Sequence, residues 1–119
     1  MKNLESNAQI KFCQYLHRNH PKIWFFAIPN GGHRDKRVGA RLKAEGVKRG
    51  VPDLYLPSLR LWVEMKIQGG RLSEDQKRWH EYLNQHGDTV LTCYGTEQAI
   101  KMFEDFIKNR GEEKEQSPF

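Results

Sequence analysis

The sequence predicts an α/β fold in which helices flank a mixed β-sheet. Apolar residues recur at helical spacing near both ends of the chain, which is typical of amphipathic helices. Between these ends lie short runs rich in β-branched and aromatic residues, which favour strands. A helix-start signal separates the last two of these runs. We therefore expect the element order α β (α) β β α β α.

The first half of the chain predicts a helix, a strand and a basic helix. Apolar spacing predicts the first helix over residues 4–19. The run KIWFFAI, residues 22–28, predicts a strand, which Pro29 and the following Asn-Gly-Gly would end. A further helix over residues 36–45 would stop at Gly46.

The second half predicts a hairpin followed by a helix and a strand. The segments PDLYLP and LRLWVEMKI would pair through a two-residue turn near Ser58. Ser73 and Gln76 have the spacing of a capping box, and Gly87 would end the helix that they begin. Residues 88–94 then predict the last strand.

The length of 119 residues indicates one domain, which we place at residues 1–110. Thr96 would cap its last helix. Residues 111–119 are polar and mildly acidic, and predict a disordered tail. The two cysteines make no disulfide framework, and the chain shows no long apolar run. We therefore expect a soluble, cytoplasmic protein without a membrane partner.

The positive charge is concentrated in one segment. Residues 33–50, HRDKRVGARLKAEGVKRG, carry a net charge of +5, which equals the net charge of the whole chain. Such a concentration favours a polyanionic partner, most simply a nucleic acid. A solvated, charged loop is the alternative interpretation.

The predicted hairpin raises the main chemical question. Side chains alternate across a strand, so Trp62, Glu64 and Lys66 would share one face. A two-residue turn would place Asp53 opposite Glu64 on that face, with Leu54 opposite Val63 on the other. Like charges directly opposite each other destabilise a sheet.

A divalent cation would remove this conflict. Mg²⁺ prefers oxygen ligands and commonly uses one or two carboxylates together with water and substrate phosphates. With a basic chain and a nearby lysine, the pattern indicates metal-assisted chemistry on a phosphodiester. The alternative is a solvent-facing Glu64–Lys66 pair on an edge strand, with Asp53 as an ordinary strand-entry residue.

These residues resemble a known nuclease motif. Pro52-Asp53, ten intervening residues and Glu64-Met65-Lys66 are similar to the PD-(D/E)xK motif. The segments LESNAQIKFCQYL, IPNGGHR, KRGVPDLYL and GGRLSEDQKRWHEYLNQHG resemble the VRR-NUC branch, the virus-type replication–repair nucleases. The resemblance covers about residues 4–108 and implies a restriction-endonuclease-like core.

The resemblance also implies roles for individual residues. Asp53, Glu64 and Glu5 would be metal ligands, together with the backbone carbonyl of Met65. Lys66 would be the catalytic lysine. The resemblance places one more catalytic residue, Gln76, at the edge of the site.

Two of these roles have alternatives. Glu5 could only complement the dipole of its helix. Gln76 could only close the capping box with Ser73, or could do both.

The basic segment would then contact DNA phosphates. The expected DNA-binding residues are Asn30, Arg34, Lys36, Arg37, Arg41, Lys43, Lys48 and Arg49.

The resemblance implies a Mg²⁺- or Mn²⁺-dependent endonuclease acting on DNA in a bacterial or phage-infected cell. Small stand-alone members resemble Holliday junction resolvases of DNA repair, so we expect a homodimer acting on branched DNA. A nuclease acting on flaps or on duplex DNA without selectivity is one alternative. A non-catalytic DNA-binding module and an RNA-binding protein are the others.

Overall fold

The structure is a computed structural model that describes residues 4–29 and 36–116. Four helices and four strands follow one another with a short 3₁₀ turn in the hairpin. The helices are α1 (Leu4–Asn19), α2 (Lys36–Ala44), α3 (Glu74–Gln85) and α4 (Thr96–Gln116). The strands are β1 (Phe26–Ala27), β2 (Leu54–Leu56), β3 (Leu61–Lys66) and β4 (Thr89–Tyr94). The predicted α/β class and element order are confirmed.

The strands form one mixed sheet in the order β1-β2-β3-β4. β1, β2 and β3 are antiparallel neighbours, whereas β4 lies parallel to β3. A parallel neighbour requires a crossover connection, and α3 provides it. The sheet is therefore a meander to which one βαβ unit adds the last strand.

The core lies on one face of the sheet, which we call the core face. Alternate residues of β2 and β3 supply this face, and helices α1 and α4 cover it. Phe12 from α1 meets Phe103 from α4 edge to face, with ring centroids 6.0 Å apart. The fully buried members on the sheet include Leu54, Leu61 and Val63. Burial of this continuous apolar layer stabilises the domain.

The opposite face, the site face, carries different side chains. Trp62, Glu64 and Lys66 alternate with the core residues of β3 and point to this side. Helix α3 packs over part of it through Leu83, Gln76 and His80.

The hairpin has the predicted register and the predicted length of turn. Leu54 pairs with Val63 and Tyr55 with Trp62, as the hydrophobic pattern requires. The predicted two-residue turn, Ser58-Leu59 between Pro57 and Arg60, is confirmed, and residues 57–59 have 3₁₀ geometry. Arg60 closes that turn at a φ of 51°, and its N–H donates to the carbonyl of Pro57.

The extent of β1 and the start of α4 differ from the sequence prediction. Only Phe26 and Ala27 of the expected strand 22–28 pair with β2, because β2 is itself only three residues long. Thr96 lies inside α4 and does not cap it, since its hydroxyl donates to the carbonyl of Ala8 on α1.

Helix α4 continues to Gln116, beyond the start of the polar tail predicted to be disordered. Residues 112–116 are good helix formers, and a helix already held by packing extends at little cost. The domain limit at residue 110 stays a prediction.

Within the described ranges, no helix is long and apolar enough to cross a membrane.

Candidate active site

Asp53 is held from both sides, through its backbone by the segment after β1 and through its side chain by β3. The N–H of Ile28, just after β1, donates to the Asp53 carbonyl at 2.8 Å. The Asp53 carboxylate accepts the N–H of Met65 in β3 at 2.7 Å. Asp53 lies just before the first residue of β2, at a position that the pairing of β2 with β3 does not include. Its two hydrogen bonds connect it to β3 and to the residue after β1. This fixes its carboxyl group beside Glu64.

Asp53 and Glu64 form a carboxylate pair in which Asp53 is half-buried and Glu64 is buried. Glu64 is only 2% exposed. Burial raises the pKa of Asp53 to about 7, and the adjacent charge of Glu64 and a hydrogen bond with its side chain add to the rise. The hydrogen bond from the Met65 N–H opposes the rise, and the more distant charge of Glu5 adds a little to it. The fold thus holds two acidic groups where they repel each other.

Helix α3 orients Glu64 through two side chains. Gln76 Nε2 donates to Glu64 Oε2 at 3.4 Å, and His80 Nε2 lies 3.1 Å from Glu64 Oε1. The two oxygens of Glu64 are therefore each engaged by a different residue of one helix. This arrangement limits rotation of the carboxylate about its last bond.

His80 is a site residue that the sequence reasoning missed. It is 12% exposed, so the imidazole is largely enclosed against Glu64. Residues four apart share a helix face, so the placement of Gln76 at the site also implied His80. That spacing was the available signal.

Gln76 closes the capping box and also contacts Glu64, while its catalytic role stays a prediction. Its backbone N–H donates to the Ser73 hydroxyl, and its side-chain oxygen accepts the Ser73 N–H at 2.8 Å, which makes a complete capping box. Its Nε2 remains free to reach Glu64. Capping therefore fixes the side chain that contacts the carboxylate.

Lys66 lies on the same face, two residues beyond Glu64, which corresponds to about 7 Å along the strand. Its side chain is only 9% exposed. Among the described residues, its ammonium has no carboxylate within the 4.0 Å of an ion pair. Gly70 lies against the Lys66 stem, since a Cβ on Gly70 would come within 3.7 Å of Lys66 Cδ. A largely buried lysine that forms no ion pair with any residue the structure describes is typical of a site that binds an anion.

The carboxylate pair fits a divalent cation. Two carboxylate groups held together against their own repulsion are the oxygen ligands that such ions prefer. The N–H and C=O of one strand residue point to the same side, so the Met65 carbonyl is directed toward Asp53. Glu5 in the first turn of α1 is exposed, close enough for its charge to affect Asp53. In the part of the chain that the structure describes, no three His, Cys, Asp or Glu side chains form a ready-made metal site.

An aromatic row, made of Phe26, Tyr55 and Trp62, borders the carboxylate pair. The sheet register places them side by side on β1, β2 and β3. Ring centroids are 5.8 Å apart for Phe26 and Tyr55, and 4.2 Å apart for Tyr55 and Trp62. Trp62 Nε1 donates to Asp88 at 2.9 Å, and Arg60 also donates to that carboxylate. The Trp62 end of the row is therefore fixed.

The basic segment is solvent-exposed where the structure describes it. The six exposed predicted DNA-binding residues are Lys36, Arg37, Arg41, Lys43, Lys48 and Arg49. The other two, Asn30 and Arg34, lie outside the described residues. Helix α2 buries no side chain. The chain leaves β1 before this helix and returns from it to Asp53, so the basic surface and the carboxylate pair are close in the chain.

A mixed sheet with an acidic pair and a buried lysine on one face defines the class, a nuclease-type nucleic-acid-binding fold. The family model of the VRR-NUC domain matches residues 29–97, more than half of the chain. The chain belongs to the VRR-NUC family. A solved structure described as a VRR-NUC domain protein is similar over 88% of both chains, with a TM-score of 0.75 and 23% identity. That likeness shows the fold, which is consistent with a restriction-endonuclease-like core. No curated protein matches the chain.

Proposed function

We propose that this protein is a Mg²⁺- or Mn²⁺-dependent endonuclease that hydrolyses phosphodiester bonds in DNA. The observation that carries the proposal is the Asp53–Glu64 carboxylate pair, with the largely buried Lys66 two residues beyond Glu64 on the same face. Membership of the VRR-NUC family supports it. A cation and a phosphate would together neutralise the charges that the fold leaves unbalanced.

Asp53, Glu64 and the Met65 carbonyl would hold the cation, with Glu5 directly or through water. When bound, the cation supplies Lewis acidity toward the phosphate and toward water. Gln76 and His80 keep the Glu64 carboxylate in one orientation, so Glu64 need not change its rotamer when the cation binds.

Lys66 acts on the reacting groups. Its ammonium donates to a phosphate oxygen as negative charge develops there, or orients the attacking water. The water oxygen bonds to phosphorus and loses a proton to solvent. The bond from phosphorus to the leaving sugar oxygen breaks, that oxygen takes up a proton from solvent, and no covalent enzyme intermediate forms. The exposed cations of α2 hold neighbouring phosphates.

The substrate that we propose is branched DNA, cut by a homodimer. The chain carries an overall excess of positive charge and no base-reading motif, which favours recognition of DNA shape. Two paired cuts in a four-way junction need two sites, and a two-fold dimer would provide them.

The test is cleavage of a labelled four-way junction and of a linear duplex of equal length, each with Mg²⁺, Mn²⁺ or EDTA. We expect metal-dependent paired cuts in the junction alone. Equal cutting of both DNAs would retain the nuclease and contradict the selectivity. Binding without cutting in any metal would contradict the nuclease and favour a DNA-binding module, and preferential competition by RNA would contradict the substrate class.

A further inference from the structure

An exposed aromatic edge continues the site face beyond the aromatic row. Trp24 is 80% exposed and Phe26 is 50% exposed, although both are large apolar side chains. Between them, Phe25 packs against the core, and its ring centroid lies 5.0 Å from that of His17. The segment thus turns one aromatic inward and presents the two on either side to solvent.

This edge is continuous with the candidate active site. Phe26 pairs with Tyr55 and Tyr55 with Trp62, and Trp62 lies two residues before Glu64 on the same face. Phe26 is therefore about 10 Å across two strands and about 7 Å along the strand from Glu64. The row is anchored at its inner end by Asp88, while its outer end is open.

We propose that Trp24 and Phe26 form a stacking surface for unpaired nucleobases next to the cleavage site. This inference rests on the proposed function, since it takes DNA as the partner. Flat apolar rings can stack on the faces of bases without reading sequence. Bases inside a continuous duplex are already stacked, so this surface selects DNA that exposes bases at a branch or in a single-stranded arm.

Charge favours DNA over a second copy of the chain at this surface. The basic segment follows β1 in the chain, and its described cations are exposed. A second copy of the chain carries the same excess of positive charge, whereas DNA brings phosphates. The combination of exposed aromatic rings with exposed cations that follow them in the chain is typical of proteins that bind single-stranded nucleic acid.

The test measures binding of the full chain in EDTA to two labelled DNAs, a duplex with a single-stranded arm and the same duplex with the arm paired. The variants are Trp24→Ala and Phe26→Ala. The control is Ile10→Ala, because Ile10 on α1 is 52% exposed, like Phe26, but lies outside the site face.

We expect each aromatic variant to bind the armed DNA about tenfold more weakly, because loss of one stacked base costs roughly fivefold to a hundredfold. Binding to the paired DNA should change less than twofold, and Ile10→Ala should bind both DNAs like the wild type. A 2-aminopurine in the arm should be quenched by the wild type and much less by Trp24→Ala.

An equal loss on both DNAs, or no loss on either, would overturn the stacking surface. The proposal would also be overturned if an aromatic variant changed the sedimentation mass of the protein and kept the wild-type preference for the armed DNA. This face would then join two copies of the chain. The binding test uses no metal and no cleavage. The stacking surface can therefore be contradicted while the proposed nuclease activity is confirmed. It can also be confirmed in a protein that does not cleave DNA.

Discussion

The two faces of the sheet are built from alternate residues of the same strands, yet they differ in what they contain. The core face of β3 carries Leu61, Val63 and Met65, which are closed in by α1 and α4. The site face carries Glu64 and Lys66, which are also buried but remain polar. The first face contributes folding free energy through apolar burial. The second contains groups whose charges oppose stability unless a ligand balances them.

This difference shows how a small domain can separate stability from chemistry. Because side chains alternate along a strand, each residue of β3 lies either on the core face or on the site face. A one-residue slip of the hairpin would exchange the faces, so the register that forms the core also forms the site. Substitutions on the two faces should therefore produce different kinds of loss.

The largest expected effect is on the core face. Phe103→Ala should reduce the free energy of unfolding by about 3–5 kcal/mol, because Phe103 is fully buried against Phe12 and other aromatic rings. Urea unfolding measures this loss. The matched control is Phe26→Ala on the site face, where half of the side chain is exposed and the loss should stay below about 1 kcal/mol. Equal losses would contradict the division between the faces.

On the site face, Lys66→Met should remove catalysis and leave the fold intact. We expect DNA cleavage to slow by about 10²–10³-fold, since one donor to the developing charge is lost. Single-turnover cleavage with saturating Mn²⁺ measures this, and calorimetry should show unchanged Mn²⁺ affinity. Cleavage at the wild-type rate would remove Lys66 from the mechanism.

A smaller effect is expected from His80, which orients Glu64. His80→Leu should weaken Mn²⁺ binding by about 10–100-fold, because the carboxylate loses one of its two partners on α3. His80→Gln keeps a donor at the side-chain end and should bind within a few-fold of the wild type. His86→Gln, on the exposed residue after α3, is the control. Wild-type affinity in His80→Leu would show that Glu64 needs no such support.

The pH dependence of the metal-free protein follows from Asp53. Its pKa is raised to about 7 in the folded state and is near 3.8 in the unfolded chain. Between these values the folded protein holds a proton that the unfolded chain has lost, so stability falls as the pH rises toward 7 and then levels off. Thermal unfolding in EDTA should therefore give a lower Tm at pH 8 than at pH 5.5. Asp53→Asn should reduce this difference, and an identical pH dependence in both proteins would contradict the raised pKa.

Much of the fold could be predicted from local patterns. The alternation of apolar residues specified the hairpin register, and Ser73 and Gln76 specified the start of α3. The length of β1 could not be predicted, because pairing depends on how many partners β2 offers.

The site was predictable only where motif and register coincide. Asp53 and Glu64 could be paired from the register, and Lys66 could be placed on their face. The contact of His80 follows from its spacing only once Gln76 is placed at the site, and that placement depends on the rotation of α3 about its own axis, which tertiary packing sets. The open outer end of the aromatic row likewise depends on which part of the sheet α3 covers.

The central claim is that Asp53 and Glu64 form a metal site, and Mn²⁺ titration by calorimetry tests it most directly. The titration compares the wild type with Asp53→Asn at pH 8, where the Asp53 carboxyl is ionised. The account predicts saturable binding to the wild type and a loss of at least tenfold in affinity in Asp53→Asn. Absence of Mn²⁺ binding to the wild type, or equal affinity in the two proteins, would contradict it.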